Sequence, residues 1–119
     1  MKLQRFNCPV EATLDVLGGK WRALIVFQLG HGTLRFGELH RLIPAASSRM
    51  LTQQLRELEE HGVVNRKVYA QVPPKVEYSL TAYGRTLQPV LSAMCKWGNE
   101  HSVRLEREGK TLPARKTHK

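Results

Sequence analysis

A chain of 119 residues has room for one compact domain and too few residues to fill two separate cores. Its 19 lysines and arginines against 10 acidic residues give a formal charge of +9, more than solubility requires, and point to an anionic partner. No stretch approaches the ~20 apolar residues of a membrane-spanning helix, and the opening MKLQRFNCPVE has neither the apolar core nor the cleavage site of a signal peptide, so the chain is expected in the cytoplasm without a membrane partner.

In chain order, Pro9 to Leu17 predicts a short helix with an early proline, apolar Val10, Leu14 and Leu17 on one face, and Gly18 and Gly19 as stops. Lys20 to Leu29 predicts the central core helix through Trp21, Leu24, Ile25 and Leu29, ended by Gly30, His31 and Gly32. Arg35 to Ile43 is a shorter helix carrying Phe36, Leu39 and Ile43; Pro44 stops it, and a turn follows to Ala46. Ser47 is placed to cap a helix running to Glu60, with Gly62 just beyond its end.

Past Gly62 the period changes to two. Val64, Arg66, Val68 and Ala70 alternate with Asn65, Lys67 and Tyr69, and Val76, Tyr78 and Leu80 alternate with Glu77 and Ser79, which predicts two strands. Pro73 and Pro74 between them suit a hairpin tip, where missing N–H donors break no ladder. Thr81 is placed to cap one long last helix, with Tyr83, Leu87, Val90, Met94, Trp97, His101 and Leu105 recurring at three or four and Pro89 as a kink. One domain over residues 1–108 and a flexible basic tail over 109–119 are expected.

The order helix, turn, helix, strand, proline-tipped hairpin, strand predicts a mainly α fold with a small β-hairpin wing: a winged helix-turn-helix with added terminal helices for dimerisation. On a helical wheel at about 100° per residue, Leu51, Leu55 and Leu58 fall within about 60° and mark the core side of the Ser47–Glu60 helix. Opposite stand Arg49, Gln53 and Arg56, with Thr52 at the edge, donors suited to base edges and phosphates. Ser47 and Ser48 at the helix start join this candidate DNA-reading surface. The competing reading is an ordinary solvated face, which Glu57, Glu59 and Glu60 favour; those acids, however, lie in the last turn, away from the N-terminal half.

Arg35 opens the preceding helix, where free N–H groups suit a phosphate, and Lys67 and Lys75 sit on the two arms of the wing, so these three are expected as backbone-positioning contacts. Leu87, Val90, Met94 and Trp97 form a seam on the last helix that a second copy would bury, the alternative being the protein's own first helix. Cys8 precedes Pro9 at a helix start, with Lys2 and Arg5 nearby, features that lower a thiol pKa; it is the candidate sensing residue, against the alternative of an inert buried thiol, and Cys95 is expected to be inert.

These residues resemble the HxlR-type family of bacterial winged-helix regulators, through CPVEATLDVLGGKW (Cys8 to Trp21), RFGEL (Arg35 to Leu39), MLTQQLRELEEHGVV (Met50 to Val64) and VPPKVEYSLTAYG (Val72 to Gly84), extended by Trp97 and Gly98. The resemblance spans about 90 of the 119 residues and departs from the family's pattern at Ala45, Ser48, Arg49 and Gly37. It implies a homodimer formed by the terminal helices, binding paired half-sites on double-stranded DNA near promoters. It also implies a possible oxidant or small-molecule effector, since members include sensors that use the cysteine matching Cys8.

An enzyme is not expected: the five histidines form no HExxH pair, and neither a phosphate-cradling glycine loop nor a nucleophile elbow occurs. No cofactor or metal is expected, because no C-x-x-C or close Cys/His spacing is present. A general architectural nucleic-acid binder would share the charge, and a winged-helix protein-interaction adaptor would share the fold; both stay open on pattern alone.

Overall fold

A computed structural model of the protein describes residues 6–110; Lys2, Arg5 and all but Gly109 and Lys110 of the expected basic tail lie outside the described residues. The chain divides into two compact units, Met1–Gln88 and Pro89–Lys119.

In the first unit, α1 (Pro9–Leu17) starts with Pro9 where no N–H is needed and ends at Gly18, as the sequence predicts. Only Leu17 of its apolar face is buried; Val10 and Leu14 are exposed. α2 (Arg22–Leu29) begins two residues later than expected because Trp21 is its cap, and it buries Ile25, Val26 and Leu29 while Leu24 stays exposed. The next segment differs from the expected helix start. Leu34–Arg35 forms a strand, β1, and α3 (Phe36–Leu42) follows it, with Leu39 and Ile43 in the core. A two-residue strand has no period to read, so only its pairing partner reveals it.

α4 (Ser48–Glu60) is capped as predicted: Ser47 Oγ accepts the Met50 N–H at 3.1 Å. Its end is a Schellman turn in which the Val63 N–H donates to the Leu58 carbonyl and the Gly62 N–H to that of Glu59, both at 3.0 Å, with Gly62 at φ +77°. Leu51, Leu55 and Leu58 are all but completely buried.

β2 (Val64–Tyr69) and β3 (Lys75–Leu80) pair antiparallel, and β1 adds to the other edge of β3, giving the order β1-β3-β2. The register sets Val64 opposite Leu80, Arg66 opposite Tyr78 and Val68 opposite Val76, with Leu34 also opposite Tyr78. Because cross-strand partners share a face, those residues form one side of the sheet. Asn65, Lys67, Tyr69, Lys75, Glu77, Ser79 and, through its pairing with Glu77, Arg35 form the other. Val64, Tyr78 and Leu80 are buried, so the first side is the core side, and Val68 on the outer reach of that side is exposed.

The single long helix expected after Thr81 is two helices, α5 (Ala82–Arg85) and α6 (Gln88–Arg107). Thr81 caps only the short one: its Oγ1 accepts the Gly84 N–H at 2.8 Å and donates to the Gly62 carbonyl at 2.6 Å. A Cβ on Gly84 would stand 2.2 Å from the Val63 carbonyl oxygen, so only glycine fits this corner. Pro89 therefore sits in the first turn of α6, where its missing N–H costs nothing, and does not kink a helix interior.

Candidate nucleic-acid interface

α4 presents three distinct sides beyond its leucine stripe. Arg49 and Gln53, one turn apart, are exposed directly opposite the leucines. On one flank, Gln54 and Glu57 are taken up by Arg22 of α2. The Arg22 Nε donates to Gln54 Oε1 at 2.8 Å, one terminal nitrogen donates to the Asp15 carbonyl at 2.9 Å, and the other pairs with the Glu57 carboxylate. One guanidinium thus ties the end of α1 and the start of α2 to α4, which fixes the angle at which α4 presents its outer side. No sequence motif singles out Arg22; its role rests on partners more than thirty positions away.

On the opposite flank, Thr52, Arg56 and Glu59 line a polar cleft together with Arg66 of β2 and Tyr78 of β3. Thr52 therefore faces the hairpin side of α4, and Arg56, next to Arg49 on the outward side, reaches into the same cleft. The Thr52 hydroxyl donates to the Ser48 carbonyl at 2.8 Å, leaving it lone pairs to offer.

Lys67 and Lys75 lie on the sheet side facing away from α4 and Arg66. Both ammonium groups rest over the Tyr69 ring, at 4.9 and 4.6 Å from its centroid, and Lys75 Nζ is 3.4 Å from the Glu77 carboxylate. The Tyr69 hydroxyl donates to Glu77 at 2.9 Å; this bond above all holds the Glu77 carboxyl below its ordinary range, opposed next by desolvation, with Lys75 and then Arg35 adding to the lowering. Tyr69 thus positions both wing lysines. Arg35 and Lys75 also line a shared groove with Phe36, Gly37 and the 71–76 turn. Arg35 precedes α3 rather than lying within it, and its own N–H donates to Glu38 Oε1 at 2.8 Å, so a carboxylate of the protein already occupies that helix end.

Cys8 is the cap residue of α1, exposed and unpaired, with the Glu11 carboxylate accepting its backbone N–H at 3.1 Å. Cys95, expected to be inert beside the seam, is also an exposed free thiol. Of the seam itself, Leu87 is half-buried in the first unit, while Val90, Met94 and Trp97 are exposed on α6, Trp97 at 65% and stacked on His101 at 5.0 Å. Leu91, which the seam spacing omits, is the buried residue of that helix. Among the described residues, no group of three His, Cys, Asp or Glu side chains could hold a metal ion, and no helix is long and apolar enough to cross a membrane.

A capped helix after a short turn, clamped against a three-stranded sheet with an extended hairpin, defines the winged helix-turn-helix class. Residues 16–106 match the HxlR-like helix-turn-helix family, and the chain belongs to that family. It is 54% identical over 105 residues to the HTH-type transcriptional regulator YtcD of Bacillus subtilis strain 168, covering 88% of this chain and 83% of that protein. It is also similar to two solved structures of the redox regulator HypR. The reduced form has a TM-score of 0.79 at 53% identity, covering 84% of this chain and 99% of that one; the oxidised form has 0.75 at 56%, covering 78% and 96%. The protein is accordingly a transcriptional regulator of the helix-turn-helix type, and not an enzyme.

Proposed function

We propose that this regulator binds double-stranded DNA as a homodimer, with the N-terminal half of α4 in the major groove. The observation that carries the reading is the exposed Arg49–Gln53 line, set opposite a fully buried leucine stripe and held at a fixed angle by Arg22. Arg49 and Gln53 address base edges; Ser47, Ser48 and Thr52 approach the adjacent backbone, and Arg35, Lys67 and Lys75 flank it. Each unit exposes apolar residues on a terminal helix, Val10 and Leu14 on α1 and Val90, Met94 and Trp97 on α6, and a second copy of the chain would bury them. Two reading helices related by a two-fold axis then address half-sites about one helical turn, or a multiple of it, apart.

Cys8 is the proposed sensing residue for an oxidant or electrophile: it is exposed at a helix start, and the similarity to HypR, a redox regulator, supports a redox input. Treating the DNA-bound native protein with diamide should release it, and the Cys8→Ser variant should stay bound. A variant that responds like the native protein removes Cys8 from the mechanism.

The reading as a whole is tested by titrating salt against operator DNA, selected from random sequence, and its scrambled version. The selected DNA should bind at least ~10³-fold more tightly, with steep salt dependence. Equal affinity for the two would instead make the chain a general nucleic-acid binder.

A further inference from the structure

The hairpin register brings together two cations that lie ten positions apart in sequence. Arg66 stands opposite Tyr78 on the core side of the sheet, beyond the last buried pair, and shares one cleft with Arg56, Thr52 and Glu59 of α4. Neither guanidinium has a hydrogen bond or ion pair among the described residues. Glu59 lines the same cleft without closing onto either, so two positive groups face one negative and the cleft keeps a net positive charge. Tyr78 adds a third donor: the residue is only 7% exposed, yet its hydroxyl has no partner among the described residues and is not sealed from solvent.

Two planar forks and a phenol around one polar cleft match the several acceptor oxygens of a phosphate better than a base edge, which offers one or two acceptors in a plane. The contrast with the wing lysines strengthens the match. Lys75 already has Glu77 and Tyr69, whereas Arg56 and Arg66 have no partner among the described residues to give up before an anion enters.

We infer that the cleft between α4 and β2 is the seat of one DNA backbone phosphate, held by Arg56 and Arg66 with the Tyr78 hydroxyl. This inference rests on the DNA-binding reading above and deepens it. The seat pins α4 and the hairpin to the same point of the duplex, so it sets how far the Arg49–Gln53 line advances into the groove. Arg56 becomes a backbone contact, and sequence discrimination falls to Arg49 and Gln53.

The test uses the full chain, its selected operator and phosphate-ethylation interference alongside the salt titration. Arg56→Gln and Arg66→Gln should each weaken selected and scrambled DNA alike by ~10-fold, lower the salt slope by about one, and lose sensitivity at the same single phosphate. The double variant should lose little more than either single one, because both side chains serve one anion. Glu59→Gln should tighten binding more than Glu60→Gln does. Arg66→Lys, which keeps the charge without the fork, should fall between native and Arg66→Gln. Thermal melting checks that each variant is folded. A folded Arg66→Gln variant with the native salt slope and every interfering phosphate overturns the seat while leaving the DNA reading intact. A native chain without salt-dependent DNA binding overturns both.

Discussion

The two flanks of α4 carry the same functional group in opposite situations. On one, Arg22 is satisfied by Gln54, Glu57 and the Asp15 carbonyl; on the other, Arg56 and Arg66 share a cleft with no acceptor on either guanidinium among the described residues. A cation whose three guanidinium nitrogens are all engaged inside the protein contributes position, and one whose nitrogens have no such partner contributes affinity for something outside. Net charge does not separate these roles, since all three arginines count equally toward +9. The two sides of the sheet repeat the lesson. Lys67 and Lys75 rest on Tyr69, with Lys75 also paired to Glu77, while Arg66 on the other side of the strand has no partner among the described residues.

The comparison breaks most completely if α4 loses its seat in the core. Leu55→Ala should cost about 3 kcal/mol of stability in urea unfolding, a large fraction of a small domain's total, and loosen both flanks at once. Arg22→Ala should cost about 2 kcal/mol, because it strands the partly buried Glu57 carboxylate and the Gln54 amide. It should also weaken sequence preference, since α4 then lacks its angular constraint. Arg66→Gln sharpens the contrast: its unfolding free energy should stay within about 0.5 kcal/mol of native, with its effect confined to DNA. If Arg66→Gln destabilises as much as Arg22→Ala, the distinction between the flanks is wrong.

The smallest expected effect concerns the outer side of the sheet. Glu77 is held below the ordinary carboxylate range chiefly by the Tyr69 hydroxyl, so its ionised form favours the folded state. With the folded pKa below the unfolded one, that contribution is complete above the ordinary carboxylate range and is lost as pH falls through the folded pKa. Tyr69→Phe should therefore melt slightly below native at neutral pH, and the gap should close in acid. A gap that persists or widens in acid assigns the difference to packing of the ring.

Much of the reading helix is legible locally. Ser47 and Gly62 bracket it, and the spacing of Leu51, Leu55 and Leu58 determines which side faces inward, because caps and a 3.6-residue period act within one or two turns. The alternation past Gly62 likewise shows two strands. The same periodicity misleads from Thr81 onward: apolar residues at three and four continue across the gap between α5 and α6, just past the corner where Gly84 packs on the Val63 carbonyl. Val10 and Leu14 keep helical spacing yet remain exposed, since a period marks a face without saying what covers it.

The sequence by itself thus determined the class of fold, the family and the helix carrying the candidate reading surface, through signals that each span a few neighbouring residues. Only the tertiary structure decided that Arg35 belongs to a strand, that Arg22 clamps α4, and that Arg66 stands with Arg56 while Lys67 and Lys75 turn away. Those outcomes depend on pairings between elements: one residue of register exchanges the two sides of a strand, and the partners of Arg22 lie 32 and 35 positions along the chain.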